Sequence, residues 1–193
     1  MTVRDERQTH ETKIRVAWNP GGAEAPDIST GLPFFDHMLQ SMALHGDLSL
    51  DIRGEGDLEV DPHHLVEDVG IVLGRVLAGG RPENPVRFGW AVVPMDEALV
   101  MVSLDFGGRA HLAYDMELPP RNFGGFHTDN AEDFFRSLVS NAGMTLHLRC
   151  MAGHNAHHIL EGAFKALGLA LRMATAQRSG GEASTKGLLE RPI

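Results

Sequence analysis

Fifteen residues that begin at His63, HHLVEDVGIVLGRVL, return at His157 as HHILEGAFKALGLAL, 94 positions later and with the His-His-x-x-Glu core intact. A repeat at about half the chain length restricts the fold to two fused halves built on one plan. On a helix, adjacent histidines project about 100° apart, so His63 and His64 do not grip one ion from the same face. They serve two metals, or two sites. Glu67 follows three and four residues later on the same side of the helix and adds a hard anionic donor beside the imidazoles. Glu161 repeats that arrangement beside His157 and His158.

The chain has 193 residues, 42% of them hydrophobic, enough to bury a sizeable core. Its formal charge of −9, with only 17 lysines and arginines, argues against a general nucleic-acid surface, so any phosphate recognition must be local. A single cysteine, Cys150, allows no internal disulfide, and the first residues contain no apolar run of signal-peptide type. A reducing, cytoplasmic location is expected, and no segment is apolar enough to span a bilayer. Histidine is the compositional outlier, with 11 residues gathered mostly in short stretches. A histidine-rich metal store would carry them in a low-complexity tract instead.

Alternation predicts strands at 12–18, near Ile28, and at 48–52. Helical spacing of Phe35, Met38, Leu39 and Met42 predicts a helix over 34–44, stopped by Gly46. Asp61 is placed to cap a helix with Pro62 at its first position, so His63 and His64 open a helix running to about residue 77. A Pro/Gly-rich link over 79–85 separates the halves. Beyond it, 87–93, 99–105 and 109–116 read as strands, 131–141 as a helix, 144–150 as a strand and 156–176 as a long helix capped by Asn155. The predicted fold class is α+β, two pseudo-symmetric halves (1–85 and 86–178), each a small mixed sheet covered by helices, with a Gly-rich tail over 179–193.

The helices upstream of the repeat superpose at an offset of 96, which sets His37 against Asp133. If His37 joins the first His-His-x-x-Glu group, symmetry nominates Asp133 for the second, where a carboxylate can replace an imidazole. His45, eight residues beyond His37, keeps to the same helix face and is a candidate for substrate contact. His10, His111, His127 and His147 carry no such argument and are read as structural.

Several long motifs then lead to a family. TGLPFFDHMLQSMALHGDLSLDIRGEGDLEVDPHHLVEDVG, RFGWAVVPMDEALVMVSLDFGGR, MTLHLRCMAGHNAHHILEGAFKALGLALRMA and the terminal STKGLL closely resemble the imidazoleglycerol-phosphate dehydratases, lyases of histidine biosynthesis. The resemblance covers nearly the whole chain. It implies halves folded like the second domain of ribosomal protein S5, two Mn²⁺ ions per active site, and a 24-subunit cage of trimers with sites shared between subunits. Metal ligands are implied at His37, His63, His64, Glu67, His157, His158 and Glu161. Asp133 departs from the pattern: many members carry histidine there, in Val-Glu-His-Phe-Phe, where this chain has Ala-Glu-Asp-Phe-Phe.

The resemblance also implies phosphate binding by Arg87, Arg109, Lys165, Ser184, Thr185 and Lys186, the last three in the tail, which is then expected to close over substrate. Glu11, in Arg7-Gln8-Thr9-His10-Glu11-Thr12, matches an Arg-x-Thr-x-Glu-Thr motif and is expected to act as general acid/base with His45 assisting. The implied reaction converts imidazole glycerol phosphate to imidazole acetol phosphate and water through a metal-bound imidazolate. The proton to be lost lies next to no carbonyl, and two Lewis acids holding both ring nitrogens would supply the missing activation. A metal store would need neither the arginines nor the Ser-Thr-Lys tail. A metal-dependent hydrolase could use similar ligands, and only the substrate separates it from a lyase.

Overall fold

A computed structural model describes residues 1–180 of the chain. The first half runs β1 (Val3–Gln8), β2 (Thr12–Asn19), β3 (Asp27–Ser29), α1 (Pro33–His45), β4 (Ser49–Gly56) and α2 (Pro62–Gly80). The second runs β5 (Phe88–Met95), β6 (Ala98–Asp105), β7 (His111–Asp115), a small hairpin of β8 (Asn122–Phe123) and β9 (Phe126–His127), then α3 (Asn130–Ala142), β10 (Thr145–Ala152) and α4 (Ala156–Thr175). The two main sheets share one topology. Their orders are β1-β2-β4-β3 and β5-β6-β10-β7, antiparallel except for the last pair of each, β3 with β4 and β7 with β10.

Period-two burial builds each sheet. Thr12, Ile14, Val16 and Trp18 face inward along β2 while their neighbours face out, and Ala98, Val100, Val102 and Leu104 do the same along β6. The inward faces receive α2 and α4 respectively. The helix starts match the sequence reading: the Asp61 side chain accepts from the His63 N–H at 2.8 Å, and Asn155 accepts from the His157 N–H at 3.0 Å. Three strands escaped that reading. β1, VRDERQ, has no apolar alternation and is held by its ladder to β2, and β8 and β9 are too short to leave a periodic signal.

The helices do not stay with their own halves. α1 packs on α4, and α3 packs on α2. Each crossing runs through a glycine. A Cβ on Gly168 of α4 would lie 2.1 Å from the Met42 carbonyl oxygen of α1, and one on Gly74 of α2 would lie 2.7 Å from the Leu138 carbonyl oxygen of α3. Phe134 of α3 joins the two layers, edge-on to Phe35 of α1 and stacked with Phe164 of α4, both at 5.3 Å. The result is one continuous core.

Candidate metal and active site

The capped starts of α2 and α4 present their histidines identically. His63 and His64 have ring centroids 6.1 Å apart at 77°, and His157 and His158 reproduce both values. The first histidine of each pair turns toward the glutamate four residues on. His157 Nε2 lies 3.1 Å from Glu161 Oε2, and His63 Nε2 lies 3.7 Å from Glu67 Oε2. The second histidine of each pair turns the other way, toward a carboxylate of its own half. His64 Nδ1 meets Asp57 at 3.3 Å, and His158 Nδ1 meets Glu97 at 2.7 Å.

Helix exchange decides the upstream partners. His37 on α1 reaches Glu161 at 3.5 Å, and Asp133 on α3 reaches His63 Nδ1 at 3.1 Å. The expected grouping is therefore reversed: His37 joins the second His-His-x-x-Glu copy and Asp133 the first. The cause is the packing of α1 on α4 and of α3 on α2. His37, His157 and Glu161 form a cluster whose donor atoms all lie within 4.8 Å of one another, the one such group of three among the described residues. The rings of Phe34 and Phe123 pack edge-on to His157, at 5.2 and 5.9 Å, and wall one side of it.

The charges are tuned by these contacts. Burial of Glu161 works against its charge, but the Lys165 ammonium at 2.9 Å, with help from His37 and His157, holds its carboxyl below the usual range. The hydrogen bond from His158, joined by the Asn155 N–H, pulls the Glu97 carboxyl down to about 2. His158 and His64 are raised in turn, first by their bonds to Glu97 and Asp57.

Glu11 sits in the turn between β1 and β2, 3.9 Å from His64 Nδ1. Its motif is a scaffold. The Thr9 hydroxyl accepts the N–H groups of Glu11 and Thr12, at 3.1 and 3.0 Å, while buried Asp68 receives Arg7 Nε at 2.7 Å and the Thr12 hydroxyl. His45 stands apart from the cluster. Its Nδ1 bonds to the Ser41 carbonyl at 2.9 Å, and two helical turns, about 12 Å, separate it from His37. Arg87 is grasped by Asp105 through two N–H donors, one at 2.9 Å, and lies over the Phe88 ring. Arg109 is exposed. Lys165 binds Glu161, and Ser184, Thr185 and Lys186 lie outside the described residues.

Sequence reasoning missed Asp57, Asp68 and Glu97. Asp68 had a signal: the repeat places it opposite Gly162, on the buried face of the helix, where a charge needs a partner. Asp57 lies in the loop between β4 and α2 and Glu97 in the turn between β5 and β6, and only the fold brings them to the histidines.

Comparison with known proteins matches this arrangement to a family. The model of the imidazoleglycerol-phosphate dehydratases matches residues 30–171. The chain belongs to the imidazoleglycerol-phosphate dehydratase family. Relatives of that name from Moorella thermoacetica and Desulforamulus reducens are 53% and 51% identical over 188 residues, covering 95% of this chain and 96% of each relative. Crystal structures of the enzyme from Pyrococcus furiosus and Staphylococcus aureus superpose with TM-scores of 0.86 and 0.82 at 38% and 34% identity, covering 96% and 92% of this chain and 100% of theirs. As a member of the imidazoleglycerol-phosphate dehydratase family, the chain is a hydro-lyase that removes water from imidazole glycerol phosphate in histidine biosynthesis. No described helix is long and apolar enough to cross a membrane.

Proposed function

We propose that the dehydration runs on two divalent cations, Mn²⁺, held by the two quasi-equivalent ligand sets. The observation that carries this reading is the approach of His37, His157 and Glu161 within 4.8 Å, a mixed imidazole and carboxylate set that fits such an ion. The second set is His63, Glu67 and Asp133. His64 and His158, on the opposite faces of the same helix starts, complete the coordination from neighbouring subunits of a 24-subunit cage in the cytoplasm. When bound, the cations supply Lewis-acid polarisation of the substrate's ring nitrogens.

The chain's own residues do the rest. Loss of water takes a proton from carbon and a hydroxyl, which leaves protonated. Glu11, an exposed carboxylate fixed by the Thr9, Thr12 and Asp68 scaffold, moves that proton. His45 contacts substrate across a subunit boundary, since it lies away from His37 in its own chain. Arg87 keeps three of its five N–H donors beyond the two that Asp105 takes, and with Arg109, Lys165, Ser184, Thr185 and Lys186 it binds the phosphate.

Incubation of metal-stripped protein with imidazole glycerol phosphate, with and without Mn²⁺, tests function and cofactor together. Ketone product is expected only when Mn²⁺ is restored. Full turnover without metal would refute the cation reading. Light scattering on the same two samples measures the assembly.

A further inference from the structure

The hairpins that open the two halves superpose residue for residue. Gln8 faces Lys13 across β1 and β2 as Pro94 faces Leu99 across β5 and β6, and Val3 faces Trp18 as Gly89 faces Leu104. The residue immediately before β2 is Glu11, and the residue immediately before β6 is Glu97. Glu97 is thus the repeat-mate of the proposed acid/base, yet its surroundings differ. Glu11 Oε2 stops 3.9 Å from His64 Nδ1, and Asp57 takes the closer place at 3.3 Å. In the second half Glu97 takes that place itself.

Both oxygens of Glu97 are committed. Oε2 lies 2.7 Å from His158 Nδ1, while Oε1 accepts the N–H groups of Asn155 and His154 at 2.9 and 3.3 Å. The other ring nitrogen, Nε2, lies 3.4 Å from Asn155 Nδ2 and 3.6 Å from Asp96 Oδ2. The orientation of the Asn155 amide is fixed by its cap, since its Oδ1 accepts the His157 N–H. Nδ1 therefore has the close acceptor, Glu97 at 2.7 Å, whereas the group nearest to Nε2 is a donor and the Asp96 carboxylate stands beyond hydrogen-bond reach, so the proton is assigned to Nδ1 and a lone pair to Nε2.

We propose that Glu97 is a positioning residue: the repeat-mate of Glu11, diverted from proton transfer to holding the His158 ring and the loop before α4 so that Nε2 is the nitrogen offered to a metal. The proposal rests on the reading of His158 as a ligand. Carboxylates that accept from the far nitrogen of a ligating histidine fix its tautomer, and their loss costs about 10–100-fold in metal affinity.

Glu97→Gln tests this directly. The amide oxygen can still accept the Asn155 and His154 N–H groups, but the amide nitrogen donates to Nδ1 and forces the proton onto Nε2. Metal-stripped wild type, Glu97→Gln, His158→Ala and the double variant are titrated with Mn²⁺ alone by calorimetry at one neutral pH, with circular dichroism as a check on folding. The Gln variant is expected to bind about 10–100-fold more weakly at one class of sites. The double variant should be no worse than His158→Ala. Wild-type affinity in Glu97→Gln, or additive losses in the double variant, would overturn the proposal. If wild type itself takes up no Mn²⁺, the metal reading fails first, which separates the two outcomes. A measurement that needs no variant is the ¹⁵N spectrum of histidine-labelled, metal-free wild type: His158 protonated at Nδ1 is expected, and protonation at Nε2 alone overturns the inference.

Discussion

His37 Nε2 lies 3.5 Å from Glu161 Oε2 although the two residues belong to opposite halves of the chain. The contact depends on how closely α1 approaches α4, and Gly168 sets that approach because a Cβ there would meet the Met42 carbonyl oxygen at 2.1 Å. Gly168→Ala is expected to force the helices apart, at a cost of about 1–3 kcal/mol in denaturant unfolding. It should also weaken Mn²⁺ binding at the His37, His157 and Glu161 set. Unchanged stability together with unchanged metal titration would show that the crossing does not build the site.

The same contact marks the limit of what the sequence discloses. The helix caps, the strand periods of β2 and β6 and the doubled His-His-x-x-Glu are local patterns, and each specifies its element within a few residues. Gly74 and Gly168 even recur at the same place in the repeat. What no local pattern contains is which helix approaches which glycine, so the expected pairing of His37 with the first copy came out reversed. Glu97 and Asp57 were hidden for a related reason. Each is an ordinary loop carboxylate until the sheet brings it against a helix start.

Asp133 gives the second prediction. It stands 3.1 Å from His63 Nδ1, where many relatives are expected to carry histidine, and a carboxylate there either ligates metal or steadies the ring. Asp133→Ala should weaken Mn²⁺ binding about 10–100-fold at the His63 and Glu67 set. Asp133→His restores a donor and should recover binding if Asp133 is a ligand. An Ala variant with wild-type affinity would remove Asp133 from the site.

A third concerns the metal-free protein and pH. Glu97 titrates at about 2 in the folded chain against an ordinary 4.5, because His158 hydrogen-bonds its carboxylate. A lowered carboxyl contributes stability above pH 4.5 that is lost as pH falls toward 2. His158 is raised above its ordinary 6.5, again through Glu97, so its contribution is complete below 6.5 and is lost as pH rises through the raised value. The pair should therefore stabilise most between 4.5 and 6.5. Chemical denaturation of wild type and Glu97→Gln in chelator should differ most in that window and less on either side. The gap should also shrink with salt, because the pair is accessible to solvent. A difference that is constant across the range would contradict the assigned shifts.

The last prediction separates scaffold from chemistry at the β1–β2 turn. Glu11 stays 3.9 Å from His64 Nδ1, beyond hydrogen-bond reach, whereas Asp68 anchors the turn through Arg7 and Thr12. Glu11→Gln should therefore leave unfolding and Mn²⁺ titration as in wild type while kcat falls about 10²–10⁴-fold, the usual share of a general acid/base. Asp68→Ala should behave differently, since it removes a buried acceptor from a guanidinium and a hydroxyl. A stability loss of about 1–3 kcal/mol is expected, with a fall in kcat that follows from a loosened turn. Asp68→Asn keeps an acceptor and should recover part of both. Near-normal kcat in Glu11→Gln would move the proton-transfer role to another residue, and a loss of metal in the same variant would make Glu11 part of the metal shell instead.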